Sequence, residues 1–299
     1  MLFRKQIYFE FPLLTLQRLF IFKHCFKLII SVNRKAVGIL LILSLALHQL
    51  VKAQNGRYSG MGDASVMLSD FWSAFGNQAG LASITVPEAG ICYYNQYLMW
   101  ETGTQTGAYV LPTQSGNFAA SFSRYGYSLY SENNIGLAYA RNFGSIWSAS
   151  LQFDYLFYNQ SDDYGNQGAF LFELGIITKP IENLSIGAHL YNPARAKLSN
   201  YQNERVPTVM RFGLGYQFDE WVLVTLETEK DLEQKARVKC GLEYQPVTSL
   251  FLRAGVLTQP NQFSLGMGYT IQNFTTDFSF VTHESLPISS QLSFKYTFN

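Results

Sequence analysis

Residues 147–158 read Trp147-Ser148-Ala149-Ser150-Leu151-Gln152-Phe153-Asp154-Tyr155-Leu156-Phe157-Tyr158, and this stretch decides the fold class. Apolar and aromatic side chains alternate with mostly polar ones along it. Successive side chains of a β-strand point to opposite faces of a sheet. The stretch therefore predicts a strand with one apolar face and one polar face.

The same alternation recurs at 210–218, 263–272 and 288–298, and turn-forming residues interrupt the chain every 12–16 residues. Two longer polar stretches, Asn159–Gly168 and Asn192–Pro207, predict longer loops. The pattern predicts about 14 strands, at 89–100, 104–112, 115–125, 133–142, 145–158, 168–179, 183–191, 206–218, 221–230, 235–246, 249–258, 262–272, 274–283 and 287–298.

Two all-β architectures fit this ladder. A soluble sandwich buries its apolar faces, whereas a transmembrane barrel turns them outward to lipid and encloses its polar groups. The chain is 47% hydrophobic and 16% aromatic but only 14% charged, against about 25% charged residues in soluble domains. Aromatic residues crowd the predicted strand ends, as girdle residues do. These features favour an all-β fold, a transmembrane antiparallel β-barrel of about 14 strands preceded by a short N-terminal helical segment.

Charged residues inside the predicted strands fall mainly on the polar face. In a barrel this face lines the lumen, where charges satisfy one another, because a lone charge in lipid is costly. Leu265→Arg, on the predicted lipid face, should therefore be more damaging than Ser264→Arg in a wet lumen. The predicted lumen network comprises Asp154, Glu173, Arg211, Glu227, Arg237, Lys239, Glu243, Asp277 and Lys295.

An export signal precedes the strands. Arg34 and Lys35 stand before the apolar run 36–47, and Val51-Lys52-Ala53 follows it with small residues before a cleavage point. This is the order of a secretory signal peptide, and the run is too short to span a bilayer. We predict a signal peptide at 32–53 and infer that translation starts at Val32. Residues 1–31 would then be a mis-assigned extension, which N-terminal sequencing of the precursor tests.

Removal of residues 1–53 leaves 14 basic and 20 acidic residues. A chain with a net charge of −6 is a poor candidate for binding nucleic acid. Two cysteines, Cys92 and Cys240, remain, and the sequence leaves open whether they pair.

Motifs for catalysis or cofactor binding are not found in the sequence. It contains no CxxC, HExxH, Walker A or GxSxG pattern. Gly213-x-Gly215 and Gly266-x-Gly268 are better explained as small residues on an inner barrel face. His189 and His283 are expected to be lumen or rim residues. We therefore expect no enzyme activity, no catalytic residues, no cofactor and no metal site.

The segment 54–87, here called the N-terminal segment, does not alternate. It contains Gly60-Met61-Gly62-Asp63-Ala64 and Asn77-Gln78-Ala79-Gly80-Leu81. These motifs resemble the N-terminus of the long-chain fatty-acid transporter (FadL) superfamily, most closely its PorV/PorQ branch, in which proline stands at the position of Gln78. The final strand, which ends at Phe298-Asn299, resembles the terminal signal of outer-membrane barrels.

The resemblance implies a 14-stranded barrel (88–299) in the outer membrane, with the N-terminal segment as a plug. A periplasmic cap, a mobile hatch and a fixed plug remain open for that segment, with a turn at Asn77, Gln78, Ala79 and Gly80. Candidate residues for a plug or ligand pocket are Met61, Val66, Phe71, Trp72 and Phe75.

Three functions follow from the resemblance and the pattern. The first is binding or passage of small hydrophobic compounds, with the lipid bilayer and a hydrophobic small molecule as partners. The second is interaction with proteins of the type IX secretion system, as in PorV-like members. The third is a structural barrel without substrate.

Overall fold

The computed structural model describes residues 55–160, 167–198 and 205–299. The signal peptide and the extension predicted before residue 54 lie outside the described residues. Among the described helices, none has the length and apolarity to cross a bilayer.

Fourteen strands form a closed antiparallel barrel in the described part of the chain, as the alternation predicts. Strand β1 closes it by pairing with both β2 and β14, so that Glu88 stands opposite Val110 on one side and Thr297 on the other. The strands are β1 Glu88–Asn95, β2 Gly103–Thr113, β3 Gly116–Gly126, β4 Tyr130–Phe143, β5 Trp147–Gln160, β6 Gln167–Ile181, β7 Leu184–Tyr191, β8 Val209–Phe218, β9 Val222–Asp231, β10 Arg237–Val247, β11 Leu250–Leu257, β12 Gln262–Ile271, β13 Phe274–Val281 and β14 Ser289–Thr297.

The strand boundaries agree closely with the alternation, except at the end of β1. The alternation predicts a strand to residue 100, but β1 ends at Asn95 and two short 3₁₀ turns, Gln96–Leu98 and Trp100–Thr102, follow. Tyr97 and Leu98 have positive φ angles of 57° and 56°, which no strand residue adopts. The apolar side chains of this loop mimic the strand pattern.

The two ends of the barrel differ in the length of their connections. At the end where β1 begins and β14 finishes, consecutive strands are joined by two or three residues. At the opposite end the connections run from 3 residues up to the 17 between β7 and β8. Outer-membrane barrels place short turns on the periplasmic side and long loops on the extracellular side. We call these the short-turn end and the long-loop end.

The outer face of the barrel is apolar. Phe170 is 80% exposed and Leu265 is 66% exposed, and both point away from the lumen. Exposed rings concentrate near the strand ends, where Tyr296 contacts Phe274 and Phe298 at centroid distances of 4.7 and 4.8 Å. An apolar band between aromatic girdles is the surface that lipid requires.

The two cysteines lie on opposite faces of the wall. Cys92 is buried on the inner face of β1, whereas Cys240 alternates outward between Lys239 and Gly241 on β10. Both are free thiols, which answers the pairing question that the sequence leaves open.

Candidate functional site in the barrel lumen

The N-terminal segment crosses the lumen and touches opposite walls. It begins with the helix α1 (Gly56–Gly60) and continues through two 3₁₀ turns, Phe71–Phe75 and Gln78–Ser83. The N–H of Gly56 donates to Ser293 on β14, and the N–H of Gly62 donates to Ser264 on β12. On the far side, Asn117 of β3 donates to the carbonyls of Leu81 and Ile84.

Glycines on the inner face of the wall let the segment approach it closely. A Cβ atom at Gly187 would overlap the carbonyl group of Val66, and one at Gly255 would overlap the backbone of Met61 and Gly62. A Cβ at Gly241 would lie 2.6 Å from the carbonyl oxygen of Met61. The polar face of these strands is therefore rich in glycine because a backbone lies directly against it.

The apolar residues of the segment form the packed core of the protein. Met61, Val66 and Phe71 are fully buried, Trp72 is nearly so, and Phe75 is partly buried against the same cluster. Phe71 meets Trp72 edge to face with centroids 4.9 Å apart. These five candidate pocket residues come together, and their side chains pack against one another and against the wall.

The turn at residues 77–80 is held by the side chain of Asn77. Its Oδ1 accepts a hydrogen bond from the N–H of Ala79, and its Nδ2 donates to the carbonyl of Val66 at 2.7 Å. The same Nδ2 lies 3.1 Å from the carbonyl oxygen of Ile176 on β6. A Cβ at Gly80 would collide with Ser73 and Leu68, which explains the glycine there.

Gln78 makes contacts that a proline could not make. Its Nε2 donates to Oε2 of Glu173 at 3.0 Å, and its Oε1 lies 3.2 Å from Nε2 of His189. His189 Nε2 also lies 2.8 Å from Oε2 of Glu173. Gln78 is 1% exposed, so this buried amide links the segment to β6 and β7.

One ion-pair chain joins the segment to β10, β11 and β13. Arg57 contacts Asp70 at 2.5 Å and binds both carboxylate oxygens of Glu243, at 2.7 and 3.0 Å. Arg253 then bridges Glu243 at 2.6 Å and Asp277 at 2.7 Å. Bidentate guanidinium–carboxylate pairs fix the relative orientation of the two side chains and also add binding energy.

A second chain joins the segment to β9 and β10. Lys239 lies 2.9 Å from Glu227 and 2.8 Å from Glu229. Glu227, which is completely buried, also accepts hydrogen bonds from the N–H groups of Ser65 and Val66 at 2.7 and 2.8 Å. One carboxylate therefore satisfies two backbone donors of the segment and the lysine of the wall.

The remaining predicted network residues are placed as follows. Arg211 donates to the carbonyl of Gly76 and to Nδ1 of His189. Lys295 pairs with Glu88 at 2.9 Å, and Arg237 donates to Gln234 near the long-loop end. Asp154 accepts from Asn134 and Gln152. Seven of the nine predicted residues are buried, and Arg237 and Lys295 are half-buried.

Sequence reasoning missed several members of these chains. Arg253, Glu229 and Glu88 occupy inward positions of their strands, so the alternation that placed their neighbours could have found them. Arg57 and Asp70 carry no such signal, because the N-terminal segment has no strand period. Within the described ranges, no group of three or more His, Cys, Asp or Glu residues is placed to hold a metal ion.

The barrel of this chain is similar to several solved structures. The toluene transporter TodX of P. putida superimposes with a TM-score of 0.66 at 11% identity, over 83% of this chain and 99% of that one. This chain shares the barrel fold of that transporter. The toluene transporter TbuX of Ralstonia pickettii gives a TM-score of 0.66 at 11% identity, over 84% of this chain and 100% of that one.

A Pseudomonas aeruginosa FadL homologue has the same fold, with a TM-score of 0.54 at 13% identity, over 82% of this chain and 98% of its own. No family model and no curated protein sequence matches the chain. The likeness is therefore one of three-dimensional structure, at sequence identities that establish the fold alone.

Proposed function

We propose that this FadL-type barrel is an exported outer-membrane protein that binds small hydrophobic compounds and passes them across the membrane. The observation that carries the proposal is the combination of a lipid-compatible outer wall with a lumen crossed by an anchored N-terminal segment. Three structures that share this fold are described as two toluene transporters and a FadL homologue.

The anchoring of the segment favours a fixed plug over a mobile hatch. Arg57, Ser65 and Gln78 each make polar contacts with a different part of the wall. Moving the segment out would remove Arg57 from Glu243 and two backbone donors from Glu227. Each hydrogen bond to a charged group that is lost costs about 1.5–3 kcal/mol. We therefore propose that solutes bind between the segment and the long-loop end without expelling it.

Uptake of radiolabelled toluene tests the transport proposal. A Gram-negative host that produces the full chain should accumulate toluene faster than the same host with an empty vector. Gly255→Leu, which drives a side chain into the segment, should change that rate, whereas Glu220→Gln in an exposed turn should not. Uptake equal to that of the empty-vector host, with folded barrel in the outer membrane, contradicts the proposal.

A second experiment tests the partner role that the PorV/PorQ resemblance implies. Affinity purification of the barrel from its native host, followed by mass spectrometry, should recover bound small molecules if it is a channel. Recovery of stoichiometric secretion-system proteins without small molecules would favour the partner role instead. A cleaved N-terminus at Gln54 in the purified protein would support the predicted signal peptide.

A further inference from the structure

Five basic side chains lie on one sector of the long-loop end. Two connections form this sector, one between β7 and β8 and one between β9 and β10. They are joined by a backbone hydrogen bond, because the N–H of Leu232 donates to the carbonyl of Thr208 at 3.1 Å. Four of the five side chains are exposed and the fourth along the chain is half-buried. We call them the basic arc, which comprises Arg195, Lys197, Arg205, Lys230 and Lys235.

Carboxylates do not neutralise the basic arc within the part of the chain that the structure describes. None of its members forms an ion pair with a described residue. The nearest acids in sequence are Glu233, which is exposed, and Asp231, which accepts from the N–H of Glu233. The other described long-loop connections, 96–102, 127–129, 258–261 and 282–288, contain no lysine or arginine. Among the connections, positive charge is therefore concentrated in this sector.

Two members of the basic arc face each other across a fixed hairpin. Lys197 and Arg205 stand directly opposite in an antiparallel bridge. Opposed side chains of such a bridge share a face, with Cβ atoms about 5 Å apart, and like charges there repel. The fully buried Asn192 holds the hairpin, since its Nδ2 donates to the carbonyl of Val206 at 2.7 Å and its Oδ1 accepts from the N–H of Ala196 at 3.0 Å. An anion bound between the two cations would relieve their repulsion.

Lys230 places the basic arc at the edge of the lipid-facing wall. Glu227 and Glu229 are buried toward the lumen, so Lys230 points outward in the alternation of β9. It stands opposite Met210 of β8, which is 44% exposed on the outer face. Leu232, in the connection that follows, is 45% exposed. Basic side chains at the edge of an apolar band lie at the level of lipid headgroups.

We propose that the basic arc binds the phosphate groups of an anionic glycolipid in the outer leaflet and so fixes this end of the barrel at the membrane surface. The proposal goes beyond the proposed function but uses its outer-membrane location. One phosphate accepts several charge-assisted hydrogen bonds and can bridge Lys197 and Arg205. The acyl chains of the same lipid lie along the apolar wall beside Lys230. A soluble polyanion could use the charges but not this wall.

Two forms of one glycolipid test the role of phosphate. The purified full chain in neutral detergent is titrated with bisphosphorylated lipid A and, in parallel, with lipid A from which the phosphates have been removed. Native mass spectrometry measures the fraction of barrel that carries lipid at each concentration. We expect the phosphorylated form to bind at least about tenfold more tightly. Equal affinities for the two forms would overturn the proposal.

Removal of the opposed cations tests the location of the site. Lys197→Gln combined with Arg205→Gln should reduce the preference for phosphorylated lipid A to about threefold or less. Arg141→Gln combined with Lys179→Gln removes two exposed cations at the short-turn end and is the matched control, which should keep the full preference. An undiminished preference in the Lys197→Gln, Arg205→Gln variant would also overturn the proposal.

A second variant guards against misfolding, which heat-modifiable migration on gels detects. Lys197→Gln combined with Lys235→Gln retains Arg205 and its 3.0 Å hydrogen bond to the carbonyl of Arg195, and it should also reduce the preference. Dextran sulfate serves as a soluble polyanion in the same assay. Binding of dextran sulfate without binding of lipid A would overturn the proposal and assign the basic arc to a soluble polyanion.

Toluene uptake separates this inference from the proposed function. Uptake by cells whose purified barrel shows no preference for phosphorylated lipid A would reject the inference alone. A phosphate preference in a barrel that gives no toluene uptake would support the inference and count against the proposed function.

Discussion

The side-chain amide of Gln78 donates a 3.0 Å hydrogen bond to the carboxylate of Glu173, which lies on β6 in the wall of the barrel. The resemblance in the N-terminal segment has proline at this position. Gln78→Pro would complete the resembling motif but would remove the amide from Glu173 and His189. The side chain of Gln78 therefore binds the barrel wall, a contact that the turn itself does not require.

Gln78→Leu tests the strength of that link. The substitution keeps the volume but leaves Glu173 with one donor fewer in a buried site, so the free energy of unfolding should fall by about 1–3 kcal/mol. Urea unfolding in lipid vesicles, followed by tryptophan fluorescence, measures the change. Gln217→Leu, near the short-turn end of β8, should cost much less. Equal losses in the two variants would contradict the assigned role.

Glu227→Ala should loosen the N-terminal segment. The change strips the acceptor from Ser65 and Val66 and leaves Lys239 with Glu229 as its carboxylate partner. Removing one partner of a buried pair costs about 3–5 kcal/mol. Trypsin should then cleave after Arg57, a site that the folded lumen encloses, and mass spectrometry identifies the fragment.

Two companion variants sharpen the test of Glu227. Glu233→Ala, exposed between β9 and β10, should leave Arg57 protected. Adding Lys239→Met to Glu227→Ala should lower the stability further, because Glu229 then loses the lysine that lies 2.8 Å from it. A double variant as stable as Glu227→Ala alone would mean that the contact between Lys239 and Glu229 contributes nothing once Glu227 is gone.

Gly255→Ala should separate the segment from the wall. The added Cβ would overlap the backbone of Met61 and Gly62, so that either β11 or the N-terminal segment must shift. Overpacking of this kind costs about 1–3 kcal/mol. Gly107→Ala is the matched control, since the nearest atom to its Cβ would be a side-chain carbon of Ile91 at 3.6 Å. Thermal unfolding in detergent compares the two, and a destabilised Gly107→Ala with an unaffected Gly255→Ala would contradict the prediction.

Leu265→Arg places a charge on the lipid face and should cost about 2–4 kcal/mol near mid-membrane. The structure changes the expected effect of Ser264→Arg at the neighbouring position. Ser264 is buried, accepts from the N–H of Gly62 and donates to the carbonyl of Gly60. Ser264→Arg should therefore also be damaging, because the segment and not water fills the space.

We expect the two arginine variants to be defective at different steps, one in membrane insertion and the other in packing of the N-terminal segment. Leu265→Arg should impair folding into vesicles while Arg57 stays protected in the molecules that fold. Ser264→Arg should insert into the membrane and expose Arg57 to trypsin. Protection of Arg57 in folded Ser264→Arg would show that the lumen has room at this level.

His283 makes the long-loop end sensitive to pH. Its Nδ1 faces the amide of Gln262 at 2.9 Å, its Nε2 lies 2.8 Å from the hydroxyl of Ser289, and its ring contacts Tyr97. Partial burial lowers the pKa of His283 below its ordinary value of 6.5. The unfolded chain therefore takes up this proton more readily than the folded one, so the stability from the neutral ring is complete well above pH 6.5 and is lost as the pH falls.

Hydrogen exchange measures the effect at this site. Amide exchange in residues 96–102 and 282–288 should quicken between pH 7.5 and pH 5, after correction for the intrinsic rates. His283→Gln, which stays neutral at both values, should flatten the response. A response of the same size in His283→Gln would assign the sensitivity to another group.

Much of the barrel could be predicted because strand formation in this chain is locally encoded. The alternation at 147–158 and the turn residues after each run set the strand positions and both faces. Trp100 and Tyr97 misled the prediction at the end of β1, because an apolar loop in an aromatic girdle resembles a strand end. The two N-terminal motifs indicated a FadL-type fold, and the structural comparisons agree with it.

The sequence by itself determined which side chains face inward, because side-chain direction follows a period of two along each strand. Only the tertiary structure decided how those side chains pair. Arg57 and Glu243 are 186 positions apart, and their ion pair exists because closure of the barrel brings β10 beside the N-terminal segment. The glycines that accept that segment likewise follow from strand register and closure, which no local pattern specifies.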